Sequence, residues 1–309
     1  MNSSTRSMSE RGRISEVPVI EIAGVPMTLT GRLIREARVF DEDWQAASAL
    51  PDPLVLLGAL KGGCVRADLF TFAQHVPDVT PRYPFQLHLE NAAVATIDSY
   101  ESWLAVVDRS VRKHLKKAQR EGVKVQESTL DEEFVRGISS IYNELPVRQG
   151  RRFWHYGKSI DQVRAENSTY LDRSILLGAY LQGDLIGFAK LVVDGQVASI
   201  MQILSKGEHF AKRPTNALIA KAAELCAART VRYLIYGAHT YGNQEHSTLT
   251  DFKENSGFRR VDYPRYFVPL SNRGRVALAL GLQQRWVDRL PVSLRNALWQ
   301  TRARYHARS

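Results

Sequence analysis

Three apolar runs follow one another from Ser174: SILLGAYL, LIGFAKLVV and VASIMQILS. Gly183-Asp184 separates the first pair and Asp194-Gly195 the second, and both are hairpin signals. The pattern predicts a three-stranded antiparallel meander. The apolar spacing then lengthens to three and four residues over 214–229, which predicts a helix. A strand over 231–237, a helix over 247–256 stopped at Gly257, and a last strand at 265–270 follow.

Upstream the same reading gives a strand at 88–97 and one long amphipathic helix over 98–122. Asp98 with Glu101 forms a capping-box pattern, Leu104, Val107, Val111, Leu115 and Ala118 make one apolar stripe, and Gly122 supplies a C-cap. Asp131 and Pro146 bracket another helix at 131–145, followed by a loop rich in Arg and aromatics, VRQGRRFWHYGKS. Segments 18–23 and 26–40 form a hairpin around Gly24, whereas 49–70 mixes apolar runs with Pro and Gly and takes no assignment. Residues 1–17 are polar and are expected to be disordered. No internal repeat is visible. The resulting division is a disordered start (1–17), a β-rich region (18–97), a main domain (98–270) and a basic helical tail (271–309).

Charge changes this picture at two places. The net charge is +10, and segment 109–125 carries seven Lys or Arg against Glu121 alone. Residues 271–309 carry eight Arg against Asp288 alone. The basicity therefore belongs to two patches, which fit phosphates, anionic lipid or acidic glycans. Apolar content of 44% and charged content of 24% are globular values. Cys64 and Cys226 make neither a disulfide framework nor a metal spacing. There is no signal-peptide core, Walker loop, GxSxG elbow or HExxH. A cytoplasmic location, with peripheral contact at the inner membrane face, is expected.

The order meander–helix–strand–helix–strand resembles the core of the GNAT acyltransferase superfamily. Four stretches narrow the resemblance to the Fem-type peptidyltransferases and related acetyltransferase-like domains. They are SYESWLAVVDRSVRKHLKKAQREGVKV, LGAYLQGDLIGFAKLV, KRPTNALIAKAAELCAA and DFKENSGF. The resemblance implies an α+β fold: a mixed, mainly antiparallel twisted sheet flanked by helices, with a truncated N-terminal half and a helical C-terminal tail. It also implies transfer of an acetyl or aminoacyl group from an activated donor to an amine of a small molecule or cell-envelope precursor. Acyl-CoA would be a co-substrate, with aminoacyl-tRNA as the alternative; no permanent cofactor and no metal is expected.

In such folds the third meander strand parts from the next strand and its backbone receives the donor, so Gln202, Ile203 and Leu204 are the candidate lining. Lys212, Arg213, Pro214, Thr215 and Asn216 form a helix start with free N–H groups and two cations, an anion site by its own chemistry. GEHFAKRPTN lacks the Gly-rich loop usual in GNAT enzymes that use acetyl-CoA. The Phe-Lys signature places Lys253 against donor phosphate or developing charge. Lys253 follows Phe252 by about 100° around the helix and is expected to be exposed and free to reach the donor, with Leu249 and Phe252 facing the core. His239 and Tyr241 follow a strand end and are candidates for proton transfer. Arg109, Arg112, Lys113 and Trp154, with His155 and Tyr156, are the acceptor-side candidates.

Within 271–309, Pro291 divides two helix-prone pieces, an Arg-rich amphipathic pattern carrying Trp299 that fits an anionic membrane surface. The rival functions are a strictly tRNA-dependent peptidyltransferase and a non-catalytic membrane-surface or nucleic-acid binding module. Sequence-specific DNA binding is not expected.

Overall fold

The structure, a computed structural model, describes residues 3–10, 13–44, 50–63, 65–148, 150–241 and 247–281. It forms two compact units, residues 1–90 with 262–309, and residues 91–261.

The first unit opens with four antiparallel strands in sequence order: β1 (Ser3–Glu10), β2 (Arg13–Ile22), β3 (Val25–Thr30) and β4 (Glu36–Val39). Two expectations need correction here. Residues 3–10 and 13–22 are paired strands, because a backbone ladder forms without an apolar run. Segment 26–40 is two strands, split where Gly31 takes a φ of 90°. The hairpin around Gly24 stands, with Ala23 and Gly24 both at positive φ. The unassigned 49–70 stretch contains α1 (Pro53–Lys61), which Asp52 caps by accepting from Leu54 N at 2.9 Å. β5 (Leu69–Ala73) then lies parallel to β4.

β6 (Gln86–Thr96) carries the chain into the second unit. The expected single helix over 98–122 is two: α2 (Tyr100–Val106) and α3 (Arg109–Arg120). The capping box is Ser99 with Ser102, and Asp108 caps α3 by accepting from Ser110 N at 2.7 Å. Two complete caps within ten residues outweigh an apolar stripe that runs in phase across the break.

β7 (Lys124–Ser128), α4 (Glu132–Tyr142), the short hairpin β8 (Val147–Arg148) and β9 (Arg151–Arg152), and α5 (Ile160–Asn167) follow. The meander appears as read: β10 (Ser174–Leu181), β11 (Asp184–Asp194) and β12 (Val197–Ser205). Then come α6 (Pro214–Ala228), β13 (Tyr233–Ile235) and α7 (Thr248–Asn255). β14 (Arg259–Pro269) returns the chain to the first unit, where it pairs antiparallel with β5 and leads into α8 (Asn272–Ala279).

In the second unit the strand order is β6-β13-β12-β11-β10-β7. Alternation on β10 divides its side chains between two cores. Ile175, Leu177 and Ala179 join α2, α3 and α6 on one face, and Leu176 joins α4 and α5 on the other. Each unit carries a meander, a helix and a strand parallel to the meander's last strand. No repeat is visible in the residues themselves, although the resemblance implied a shortened first half, and α1 has 9 residues where α6 has 15.

Candidate active site

β12 and β13 are parallel neighbours for three residues only, Val197 to Ser199 against Tyr233 to Ile235. β13 stays paired to β6 as far as Gly237, whose carbonyl accepts from Ala93 N at 2.9 Å. β12 stays paired to β11 to its end, so its other edge is released over 200–205. A bulge helps it turn away: Lys190 faces Gln202 and Leu191 faces Ile200, leaving Met201 unopposed. The candidate lining residues Gln202, Ile203 and Leu204 therefore sit on a strand edge that no backbone ladder covers among the described residues. This is the crevice at the carboxyl ends of parallel strands where ligands bind in open sheets.

The N-terminus of α6 opens beside it. Arg213 caps α6 at a φ of 63°, in the left-handed region, with no side-chain cap bond. Pro214 fills the first turn and has no N–H to lose. Thr215 Oγ1 lies 2.9 Å from Ser205 Oγ, tying the helix start to the end of β12. Asn216 is buried, and Lys212 Nζ lies 3.1 Å from His209 Nδ1. Burial, followed by the positive charges of Arg213 and Lys117, lowers the pKa of His114 on α3. The basic helix thus brings its charge to the α6 terminus. Arg109, Arg112, Lys113, Lys116, Lys117 and Arg120 recur at spacings of three and one, which places all six on one face. None of them has a carboxylate within 4.0 Å among the described residues.

At the end of β13, the three proposed catalytic residues come together. Lys253 Nζ donates to Ala238 O at 2.6 Å and lies 4.8 Å from the ring centroids of both Tyr236 and Tyr241. The expectation of an exposed lysine is wrong: Lys253 is 0% exposed, and α7 buries Thr250 and Lys253 rather than Leu249. Burial lowers the Lys253 pKa to about 8 and pushes the Tyr236 phenol up. His239 Nε2 sits 3.3 Å from Glu254 Oε1, and its buried Nδ1 has no hydrogen-bond partner among the described residues. Burial lowers the His239 pKa, with Glu254 opposing. Tyr241 is on the rim, 57% exposed.

A second polar chain, unseen in the sequence, touches β12 from the α4–α5 side. Asn167 Nδ2 donates to Tyr142 OH at 3.4 Å, and Tyr142 OH donates to Gln202 Oε1 at 2.8 Å. Gln202 Nε2 lies 3.2 Å from His155 Nε2, and His155 Nδ1 lies 3.3 Å from Glu166 Oε2. Lys158 pairs with the same carboxylate, and against burial the hydrogen bond with His155, followed by the Lys158 pair, holds the Glu166 pKa down. Arg148 donates to Ser205 O at 3.0 Å and Ile141 O at 2.6 Å, fixing the end of β12 against α4.

Of the acceptor-side candidates, Arg109, Arg112 and Lys113 share α3, whereas Trp154 stands on the loop between α4 and α5. Arg112 Nη1 donates to the carbonyls of Leu104, Ala105 and Val107, finishing α2. Arg112 and Lys116 also line a cleft of about 360 Å³ floored by Leu104, Leu115, Ala217 and Ala220. Arg109 and Lys113 are exposed on α3. Trp154 is 54% exposed on the α4–α5 loop beside His155.

The equivalent place in the first unit is filled by protein. Beyond the parallel pairing of β4 and β5, Glu42 Oε1 accepts from Ala73 N at 2.7 Å. Its Oε2 accepts from Arg38 Nε at 2.9 Å and Arg265 Nη1 at 2.8 Å. Arg265 Nε donates to Glu90 Oε1 at 2.7 Å. Among the described residues, the parting in the second unit has no such side-chain plug.

Comparison with solved structures agrees with this topology. The structure of FemX superimposes with a TM-score of 0.61, covering 90% of each chain at 10% identity. The chain has a Fem-like fold. L-PGS from Bacillus licheniformis matches with a TM-score of 0.54 at 13% identity, covering 85% of this chain and 87% of that one. The C-terminal domain of a putative lysylphosphatidylglycerol synthetase from Agrobacterium fabrum matches at 0.52 and 15% identity, with the same coverage. No family model and no curated protein sequence matches the chain. No helix among the described residues is long and apolar enough to cross a membrane.

Proposed function

We propose that this protein transfers an acyl or aminoacyl group from a phosphate-bearing donor to an amine. The observation that carries this reading is the open parting of β12 from β13 beside the α6 N-terminus. The donor's carbonyl end enters along Gln202, Ile203 and Leu204, and its phosphates meet the helix start with Lys212, Arg213, Thr215 and Asn216. Free N–H groups and the helix dipole favour an anion there. Placing donor and amine together supplies much of the acceleration, and a fixed positive group stabilises the oxyanion that forms.

In this proposal Lys253 supplies that positive field, His239 takes the amine proton and Tyr241 returns one to the leaving group. Lys253 is suited to the role because two N–H groups of its ammonium have no polar partner among the described residues. His239 is suited because burial favours its neutral form and its Nδ1 is unengaged among the described residues. Arg109, Lys113 and Trp154 lie on the surfaces from which an acceptor would approach.

The charge layout favours aminoacyl-tRNA over acyl-CoA as donor. α3 is 12 residues long, so its cationic face extends about 18 Å, more than one pyrophosphate needs. The cap of α6 is also an arginine and not a glycine loop. Incubation with labelled acetyl-CoA or with charged tRNA, over a panel of amine acceptors, tests both. Transfer from charged tRNA is expected; transfer from neither donor to any acceptor would sink the reading.

A further inference from the structure

Asp68 ties the start of α8 to the first unit. Its carboxylate accepts from Arg35 N at 2.9 Å and Ser271 Oγ at 2.5 Å, and its backbone oxygen accepts from Leu270 N at 2.9 Å. A Cβ at Gly274 would stand 1.9 Å from Asp68 O, so only glycine lets the helix sit this close. Ile34 packs with Leu278 in the same small core. The turn at 31–35, the stretch at 65–68 and α8 therefore share one surface.

That surface has an unusual makeup for one facing water. Leu33 is 87% exposed, Leu280 59% and Val276 58%. Around them stand the exposed Arg32, Arg35, Arg66, Arg273 and Arg275. None has a carboxylate within 4.0 Å among the described residues, and the one acid in these stretches, Asp68, is already engaged. Two arginines spend their side-chain contacts locally, Arg35 on Arg66 O at 3.5 Å and Arg275 on Asn272 Oδ1 at 2.9 Å. The buried face of α8 is Gly274, Ala277 and Leu278, so Val276 and Leu280 project outward by their position on the helix.

We propose that this face docks on an anionic lipid bilayer, with Leu33, Val276 and Leu280 entering the headgroup region and the arginines meeting lipid phosphates. Exposed aliphatic side chains ringed by cations are the composition of an interfacial contact. Nucleic acid would use the arginines and leave the aliphatics in water, which is the property that separates the two partners. The proposal is independent of the transfer chemistry, since it uses none of the residues of the β12–β13 crevice.

The test uses the full chain and vesicles of equal parts phosphatidylcholine and phosphatidylglycerol, beside vesicles of phosphatidylcholine alone. The parent should co-sediment with the anionic vesicles, and high salt should release most of it, because surface attraction is screened within a Debye length. Leu33→Asp, Val276→Asp and Leu280→Asp should each lower partitioning by about fivefold or more, and Arg273→Glu with Arg275→Glu should do likewise. Unchanged thermal unfolding of these surface variants keeps the readout clean. Parent-like partitioning of the three aspartate variants overturns the proposal. So does partitioning lost only in the arginine variants together with tighter binding to RNA than to vesicles, the behaviour of a nucleic-acid face.

Discussion

Lys253 Nζ lies 2.6 Å from the carbonyl oxygen of Ala238, and no carboxylate comes within 4.0 Å of it among the described residues. A fully buried ammonium held by one carbonyl and two tyrosine rings is incompletely compensated. Removing its charge while keeping its length should therefore be tolerated. Lys253→Met should fold as well as the parent, judged by urea midpoint, whereas Lys253→Ala should lose stability to the void. Turnover should fall by about a hundredfold in both. A Lys253→Met protein with parental turnover would remove the residue from the chemistry.

The same lysine sets a pH dependence. Burial depresses Lys253 to about 8, and Lys190, buried against Asn167 O at 2.8 Å, also to about 8. The unfolded chain keeps these protons to about pH 10. Over about pH 8 to 9.5 the unfolded state therefore binds more protons, and stability rises with pH. Urea midpoints across that window should climb more steeply for the parent than for Lys253→Met. Equal slopes would show that Lys253 is not desolvated. Turnover should decline over the same range as the ammonium loses its proton.

Arg213 and Lys117 approach His114 from two helices. Replacing either with Ala should weaken donor binding by about 0.3–1 kcal/mol at low salt, and by less as salt rises. Fluorescence titration with charged tRNA reads this directly. Affinity independent of both residues would move the phosphates elsewhere.

Glu42 is the buried hub of the first unit, 2% exposed and shared by Arg38, Arg265 and Ala73. Arg265 is held charged by Glu42, Glu90 and Asp43 despite its burial. Glu42→Ala strands that charge and should cost about 3–5 kcal/mol in urea unfolding. A loss under about 1 kcal/mol would mean that Glu90 and Asp43 suffice, since exposed pairs contribute no more than that.

The meander was legible because its turns are local chemistry: Gly183 takes positive φ, although the turn pair is Gln182-Gly183, one residue before the Gly183-Asp184 signal, and Asp184 already begins β11. Helix α6 was legible for the same reason, with Pro214 at its first turn. The break at Val107 was not, because Val111, Leu115 and Ala118 continue the stripe in phase. The direction of Lys253 was misread because α7 turns Thr250 and Lys253 inward beside Phe252, which packs on the core as expected, and leaves Leu249 exposed. The chain from Tyr142 through Gln202 and His155 to Glu166 joins four separate elements, and no spacing in the sequence marks it. The Glu42–Glu90–Arg265 cluster is further still from sequence-local. The polar start, 1–17, was read by composition alone, whereas strand pairing depends on what lies beside it. The tail beyond Gly281, including the pieces around Pro291, lies outside the described residues.

The central claim is that a phosphate-bearing donor lies in the crevice between β12 and β13. Amide hydrogen exchange of the full chain, with and without charged tRNA, tests it at the residues concerned. Peptides covering Met201–Ser205 and Thr215–Asn216 should gain protection, together with α3 and the Gly237–Tyr241 stretch. Protection confined to the first unit, or no change over 201–205 under saturating donor, would contradict the account.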